Sequence, residues 1–203
     1  MQVFHFTRKE HAIQNIEKSR LKVATLNDMN DPYEFYISFE EATEQDIKNI
    51  KNHYNTKAGF LCFTSRLDDP VQWAHYAENH RGICMEFEIP NTYLLQVKYL
   101  KSPALISAKN NDWKQDLVNS TLCKYKGWKY EQEYRIAIDL GSDRVVKENG
   151  LYFAHFSKEF FPSKIYTGIR CELTNEESEI IKKSGLPIIK MAQDIYSYSI
   201  VQA

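Results

Sequence analysis

The chain has 203 residues, 43% of them hydrophobic and 13% aromatic, with 13 Tyr, 11 Phe, 7 Gly and 6 Pro. This is enough apolar material for a buried core in one domain over 1–203, and it excludes a disordered, low-complexity or linker-rich chain. The net charge of −1 and a pI of about 6.6 exclude bulk basic attraction to nucleic acid and leave only a local site open.

QVFHF (2–6) reads as a strand, with His5 set between Phe4 and Phe6. Thr7 is expected to cap a helix over 8–19, with Glu10 at capping-box spacing and Ala12, Ile13 and Ile16 on one face. LKVATL follows as a strand, and NDMNDPYEF (27–35) as a structured loop rich in Asn, Asp and Pro. Residues 40–56 read as an exposed helix and AGFLCFTS (58–65) as a buried strand. PVQWAHYAENH (70–80) reads as a helix capped by Asp69, started by Pro70 and stopped by Gly82. GICMEFEI (82–89) and LLQVKYL read as strands, 103–126 as helical in part, and EQEYRIAIDL (131–140) as a strand. LYFAHF, KIYTGIR and PIIKMAQ are further short strands, and TNEESEIIKKSG (174–185) is a capped helix ending on Gly185. The order is mixed α+β. Cys62, Cys84, Cys123 and Cys171 form no CxxC pair and read as reduced thiols of a cytoplasmic protein. No apolar run approaches the length of a membrane span, and the first ten residues do not read as a signal peptide.

Four stretches carry candidate chemistry. His5 is either a packed core histidine or a ligand-binding residue on a strand end. On the 70–80 helix, Trp73, Tyr76 and His80 form either a core-facing stripe or an aromatic platform for a planar cationic ring. Trp73 is placed on the substrate side and is expected to pack under the helix and fix Tyr76. His75, His80 and Cys84 lack a standard metal-ligand spacing, and no metal is expected. Glu131, Glu133 and Arg135 alternate on one strand face, about 7 Å apart per pair of residues. They form either a solvated face or a carboxylate cleft able to bind a sugar hydroxyl and to stabilise an oxocarbenium-like transition state. The Asn27–Asp28 and Asn30–Asp31 pairs make the fourth stretch, a connector or a binding loop.

Three of these stretches resemble a bacterial domain-of-unknown-function family with an LNDPxE-like loop, a WxHYAxxHxGIC-like segment and a WxxExExR-like strand. The loop departs from that pattern by duplicating Asn-Asp across 27–31. More distantly, the same pieces in the same order resemble ADP-ribosyltransferases of the diphtheria-toxin and poly(ADP-ribose) polymerase type, which carry a His–Tyr–Glu triad. FHFTRKEHAIQNIEKSRL is similar to their first motif, with Phe6 where they have Gly; CFTSRLDDPVQWAHY is similar to their second, and EQEYRIAI to their third.

The resemblance implies an ADP-ribosyltransferase-like fold, a split mixed or antiparallel β-sheet core with flanking helices. It implies NAD as substrate and mono-ADP-ribosyl transfer to a nucleic acid or protein acceptor, as in a bacterial toxin or phage-defence enzyme, with an antitoxin or regulatory partner and no membrane. His5, with Phe6 and Thr7, would hold the adenosine-side ribose, and Tyr76 would stack on nicotinamide. Glu133 would bind the nicotinamide ribose and Glu131 would direct the acceptor. Asn30, Asp31 and Ser65 would join the NAD site, and Lys126 and Arg135 would face the acceptor. Two alternatives stand beside it: a non-catalytic nucleotide- or nucleic-acid-binding module, and a hydrolase using His75 or His80 with Glu131 and Glu133.

Overall fold

Runs of apolar and β-branched residues form the centre of the fold. In the computed structural model, which describes residues 1–35, 37–39, 43–106 and 112–203, the chain opens with β1 (Gln2–Thr7), α1 (Lys9–Glu17), β2 (Arg20–Val23) and β3 (Ile37–Phe39). Then come α2 (Glu44–Asn55), β4 (Ala58–Thr64), α3 (Pro70–Tyr76), β5 (Ile83–Glu88), β6 (Leu95–Gln96), β7 (Lys98–Leu100) and β8 (Ala104–Ile106). The second half holds α4 (Trp113–Ser120), β9 (Cys123–Tyr125), β10 (Glu133–Asp139), β11 (Val145–Glu148) and β12 (Leu151–His155). It ends with β13 (Pro162–Thr167), α5 (Asn175–Lys183), β14 (Ile188–Gln193) and β15 (Ile200–Gln202). Residues 40–42 of the expected 40–56 helix, and 107–111 of the expected 103–126 helical stretch, lie outside the described residues.

The result is a mixed α+β domain around an eight-stranded sheet of order β15-β14-β13-β5-β1-β4-β10-β6. β13 and β14 run parallel and the other pairs of this sheet antiparallel. The sheet is pinched at one place. β1 pairs with β5 along its whole length, from Gln2–Glu88 to Thr7–Ile83, but with β4 only at Phe4–Thr64. β4 instead pairs with β10 from Thr64–Glu133 to Ala58–Asp139. β1 and β4 therefore part beyond Phe4, and a cleft opens between the two halves. A smaller sheet, β11-β12-β2, joins the main one through the Ala24–Phe60 bridge.

Burial on both sides explains the near-continuous apolar strands. One face packs Val3, Phe63, Met85, Phe87 and Ile165 against Ile13 and Ile16 of α1 and Ile181 of α5. The other packs Phe4, Phe6, Cys84 and Tyr166 against Trp73. A third cluster gathers Leu26, Phe35, Phe60, Ile106 and Leu117. Thr174 and Glu177 form the reciprocal capping box of α5, and Gly185, at φ 78°, ends it in the left-handed region.

Four expected boundaries are corrected. Thr7 is the last residue of β1; Arg8 is the N-cap of α1 and makes no side-chain cap bond. α3 stops at Tyr76, not at His80, because Glu78, Asn79 and His80 all adopt positive φ. The turn is forced by contact: a Cβ on Gly82 would sit 2.3 Å from the Thr7 carbonyl oxygen and 2.7 Å from the Ala77 backbone, so the chain must double back tightly to start β5 beside β1. The 131–140 strand begins only at Glu133. Glu131 closes a 3₁₀ turn, Lys126–Glu131, and Gln132 is left-handed at φ 44°. LLQVKYL is likewise two strands, β6 and β7.

Candidate functional site

The parting of β1 and β4 creates a cavity of about 580 Å³, within the range of small-molecule sites. Its lining comes from distant parts of the chain. β1 and the start of α1 supply His5, Phe6, Thr7, Arg8 and His11; β2 supplies Lys22; the 27–35 loop supplies Asn30. α3 supplies Gln72, His75 and Tyr76; β9 supplies Lys124; Glu131 and Glu133 complete it.

His5 has the opposite strand parity to Phe4, Thr64 and Glu133, which lie abreast in the sheet. It reaches the cavity because the ladder ends there. Its Nδ1–H donates to the Cys62 carbonyl at 2.9 Å, replacing a missing β1–β4 backbone bond. That bond leaves Nε2 of the neutral ring as an acceptor. Burial lowers the His5 pKa below its ordinary value, against the opposing effect of the Cys62 bond, so the neutral form is favoured.

The acidic end is a buried charge network. Glu34, Lys124, Glu131, Glu133 and Arg135 are each at most 6% exposed. Arg135 donates Nε to Glu133 Oε1 at 2.7 Å and an Nη to Glu133 Oε2 at 3.0 Å, and its other Nη reaches Glu34 Oε1 and the Thr121 carbonyl. Lys124 Nζ donates to Glu131 Oε2 at 2.6 Å and to Glu133 Oε2 at 3.3 Å, and sits 4.9 Å from the Trp128 ring centre. Three carboxylates facing two cations leave one negative charge in this network when all are ionised. Burial would raise Glu133, but Arg135 and Lys124 hold it below the usual glutamate value. Burial dominates at Glu131 and raises it, with Lys124 and Tyr76 opposing. Burial would lower Lys124, yet Glu133 and Glu131 keep it charged and above its ordinary value.

Tyr76 is fixed at both sides of its hydroxyl. It donates to Glu131 Oε1 and accepts from Asn30 Nδ2 at 2.7 Å. Burial, then Glu131, raises its pKa, so it stays a neutral donor. Gln72 Nε2 clamps the Tyr130 carbonyl and Thr64 Oγ1, each at 3.2 Å, tying α3 to the turn that presents Glu131. His75 Nδ1 bonds the Tyr130 hydroxyl at 2.7 Å.

The structure brings together His5, Phe6, Thr7, Asn30, His75, Tyr76, Glu131 and Glu133, and leaves the other sequence candidates elsewhere. Trp73 is fully buried in the cluster with Phe4 and Phe6, its Nε1–H on the Leu67 carbonyl at 2.7 Å and its ring edge-on to Phe6, and it does not line the cavity, so it cannot face a substrate. Arg135 is likewise fully buried and is committed to Glu133 and Glu34. Lys126 is exposed at the start of the 3₁₀ turn, outside the cavity. Ser65 bonds Gln132 and Asp31 lies buried under the loop, accepting from the Tyr33 amide; neither lines the cavity. His80 also lies outside it, so His75 alone of the proposed hydrolase histidines is near the carboxylates. Among the described residues no three His, Cys, Asp or Glu side chains are grouped to hold a metal ion, and no helix is long and apolar enough to cross a membrane. Sequence reasoning missed Gln72, Glu34 and the role of Lys124 as the clamp of both carboxylates. Two of these carried a signal: Glu34 is the acid of the NDPxE pattern at 30–34, and Lys124 is one of three lysines, with Lys126 and Lys129, just before Glu131. Comparison with known protein families, with curated proteins and with solved structures finds no match to this chain.

Proposed function

We propose that the protein is an NAD-dependent mono-ADP-ribosyltransferase whose nucleotide site is the cavity between β1 and β4. The observation that supports this reading is the meeting of His5, Tyr76, Glu131 and Glu133, drawn from three separated stretches, at a parting of the central sheet. The residues suit such a ligand. Arg8, His11 and Lys22 offer cationic or hydrogen-bonding groups to a pyrophosphate. His5 Nε2 accepts from a ribose hydroxyl. The Tyr76 ring offers a face to the nicotinamide cation. The residual negative charge of the network favours positive charge developing at the anomeric carbon.

NAD supplies an activated glycosidic bond. That bond breaks with its electron pair going to nicotinamide, and the acceptor's nucleophilic atom forms the new bond and releases a proton. Here the two glutamates exchange the roles that resemblance gives them. Glu133 is chelated by Arg135, so it positions Lys124, and Glu131 is the carboxylate that meets the ribose. The test is release of nicotinamide from NAD by the purified protein, with and without cell extract as acceptor. Release by the wild type that is absent from Glu131→Gln is the expected result. A second reading, a non-catalytic nucleotide-binding module, has one observation in its favour: every carboxylate oxygen of Glu131 and Glu133 already has a protein partner. NAD binding without nicotinamide release under any acceptor condition selects it.

A further inference from the structure

A second cavity, of about 310 Å³, shares Lys124 with the first. It is lined by Tyr33, Lys101, Pro103, Cys123 and Tyr125, among others, and Tyr33 and Tyr125 stay 59% and 49% exposed. It lies beside the parallel pair β7–β9, in which Lys98 faces Cys123, Tyr99 faces Lys124 and Leu100 faces Tyr125. Strand parity sorts these side chains. Tyr99 and Lys124 turn inward, where the Tyr99 hydroxyl accepts from the Glu133 amide and Lys124 holds the carboxylates. Lys98 and Tyr125 turn outward and are exposed, as are Lys101, Lys126 and Lys129 nearby. Two of the three segments that build this region contain no acid: no Asp or Glu occurs between Ile89 and Ile106 or between Leu117 and Tyr130, and in the third, the loop that supplies Tyr33, the neighbouring Asp31 and Glu34 are buried. A chain of net charge −1 thus carries a local cationic, tyrosine-bearing surface that abuts the proposed reaction centre through one lysine.

We propose that this surface is the acceptor subsite and that it takes single-stranded nucleic acid, with an unstacked base in the second cavity against Tyr125 and phosphates on Lys98, Lys101 and Lys126. Lysines position a backbone without reading sequence, and exposed tyrosines beside a cavity stack a base that a duplex keeps hidden. An acidic peptide would use the lysines but not the aromatic cavity. As acceptor of the transfer, the strand rests on the transferase reading above; as a bound ligand, it is measured without NAD.

The experiment is fluorescence anisotropy with labelled single strands of about twelve nucleotides, a length suited to such a groove. RNA and DNA strands, the matching duplexes and polyglutamate are compared over a salt series. Single strands are expected to bind more tightly than duplex or polyglutamate, with the tighter of RNA and DNA naming the sugar. The log–log salt slope is expected to be about −2, or about −0.7 for each of three phosphate contacts. Tyr125→Ala is expected to weaken binding about tenfold, Tyr125→Phe to restore it, and Lys101→Ala to flatten the slope by about 0.7. Thermal melts confirm that each exposed-site variant is folded. Equal binding of polyglutamate or duplex, or no effect of Tyr125→Ala in a folded protein, overturns the proposal. Calorimetry with NAD alone reads the other cavity: strand binding without NAD binding removes the transferase reading, and NAD binding without strand binding removes this one.

Discussion

Glu131 and Glu133 lie two residues apart and differ in what holds them. Glu133 is chelated by a fully buried arginine, whereas Glu131 is held by Tyr76 and Lys124, both of which line the cavity. Replacing each by glutamine separates their roles. Glu131→Gln keeps the shape and removes the charge nearest the ribose, so nicotinamide release is expected to fall by about 10²–10³ or more with the melting temperature little changed. Glu133→Gln leaves Arg135 underpaired in the interior, and a loss of about 3 kcal/mol in urea unfolding is expected. The reverse pattern would return the catalytic role to Glu133. The acid limb of the pH–rate profile tests the same point. Burial raises Glu131 above the ordinary 4.5, and its ionised form is the active one, so activity is expected to fall on acidification with a midpoint above 4.5. Tyr76→Phe removes a bond that favours the carboxylate and is expected to move that midpoint higher. A wild-type midpoint at or below 4.5 would argue against Glu131.

At the scale of elements, α3 and the turn after it decide which aromatic and histidine side chains enter the cavity. α3 is capped by Asp69, which accepts from the Val71 and Gln72 amides, and it delivers Gln72, His75 and Tyr76 before three left-handed residues carry His80 away. Gly82 permits that turn by its contact with the Thr7 carbonyl and Ala77. Gly82→Ala forces the Cβ against backbone on two sides and is expected to cost roughly 1–3 kcal/mol in urea unfolding. It is also expected to weaken NAD binding, read by calorimetry, because the strain is relieved by moving β1 or the end of α3. An unaltered unfolding midpoint would mean that the close approach is not tight.

Over the whole molecule, two buried groups join parts of the chain that are distant in sequence. Trp73 is fully buried and links α3 to β1 through Phe6 and to the loop before α3 through Leu67. Trp73→Ala is expected to cost about 3–5 kcal/mol. An unchanged melt with lost ligand binding would return Trp73 to the substrate side. The Glu34–Arg135–Glu133–Lys124–Glu131 network joins the 27–35 loop, β9, the 3₁₀ turn and β10. The acid-labile part of its stability follows from Glu133. The folded carboxylate titrates below the ordinary 4.5, so on acidification the unfolded chain takes up its proton first. The stabilisation from Glu133 is therefore complete above about 4.5 and is lost as the pH falls through the lower folded value. Melting temperatures measured across that interval are expected to drop, and Glu133→Gln is expected to flatten the drop. A parallel drop in the variant would place the acid sensitivity in another group.

The sequence by itself determined the elements whose signals are local. The capping box at Thr174, the Asp69–Pro70 start of α3 and the apolar runs of β1, β4 and β5 all rest on spacing and side-chain type within a few residues. It also singled out His5 between two phenylalanines, Tyr76 at helical spacing and the two glutamates by their alternation, and the resemblance grouped them. Tertiary structure alone decided three further points. α3 ends early because the space beside Thr7 and Ala77 admits only Gly82. Glu131 leaves the strand yet meets Glu133 on Lys124, a partner supplied by a separate strand. His5 enters the cavity against its strand parity because β1 and β4 separate there, and that separation is a property of the sheet's pairing rather than of any residue in β1.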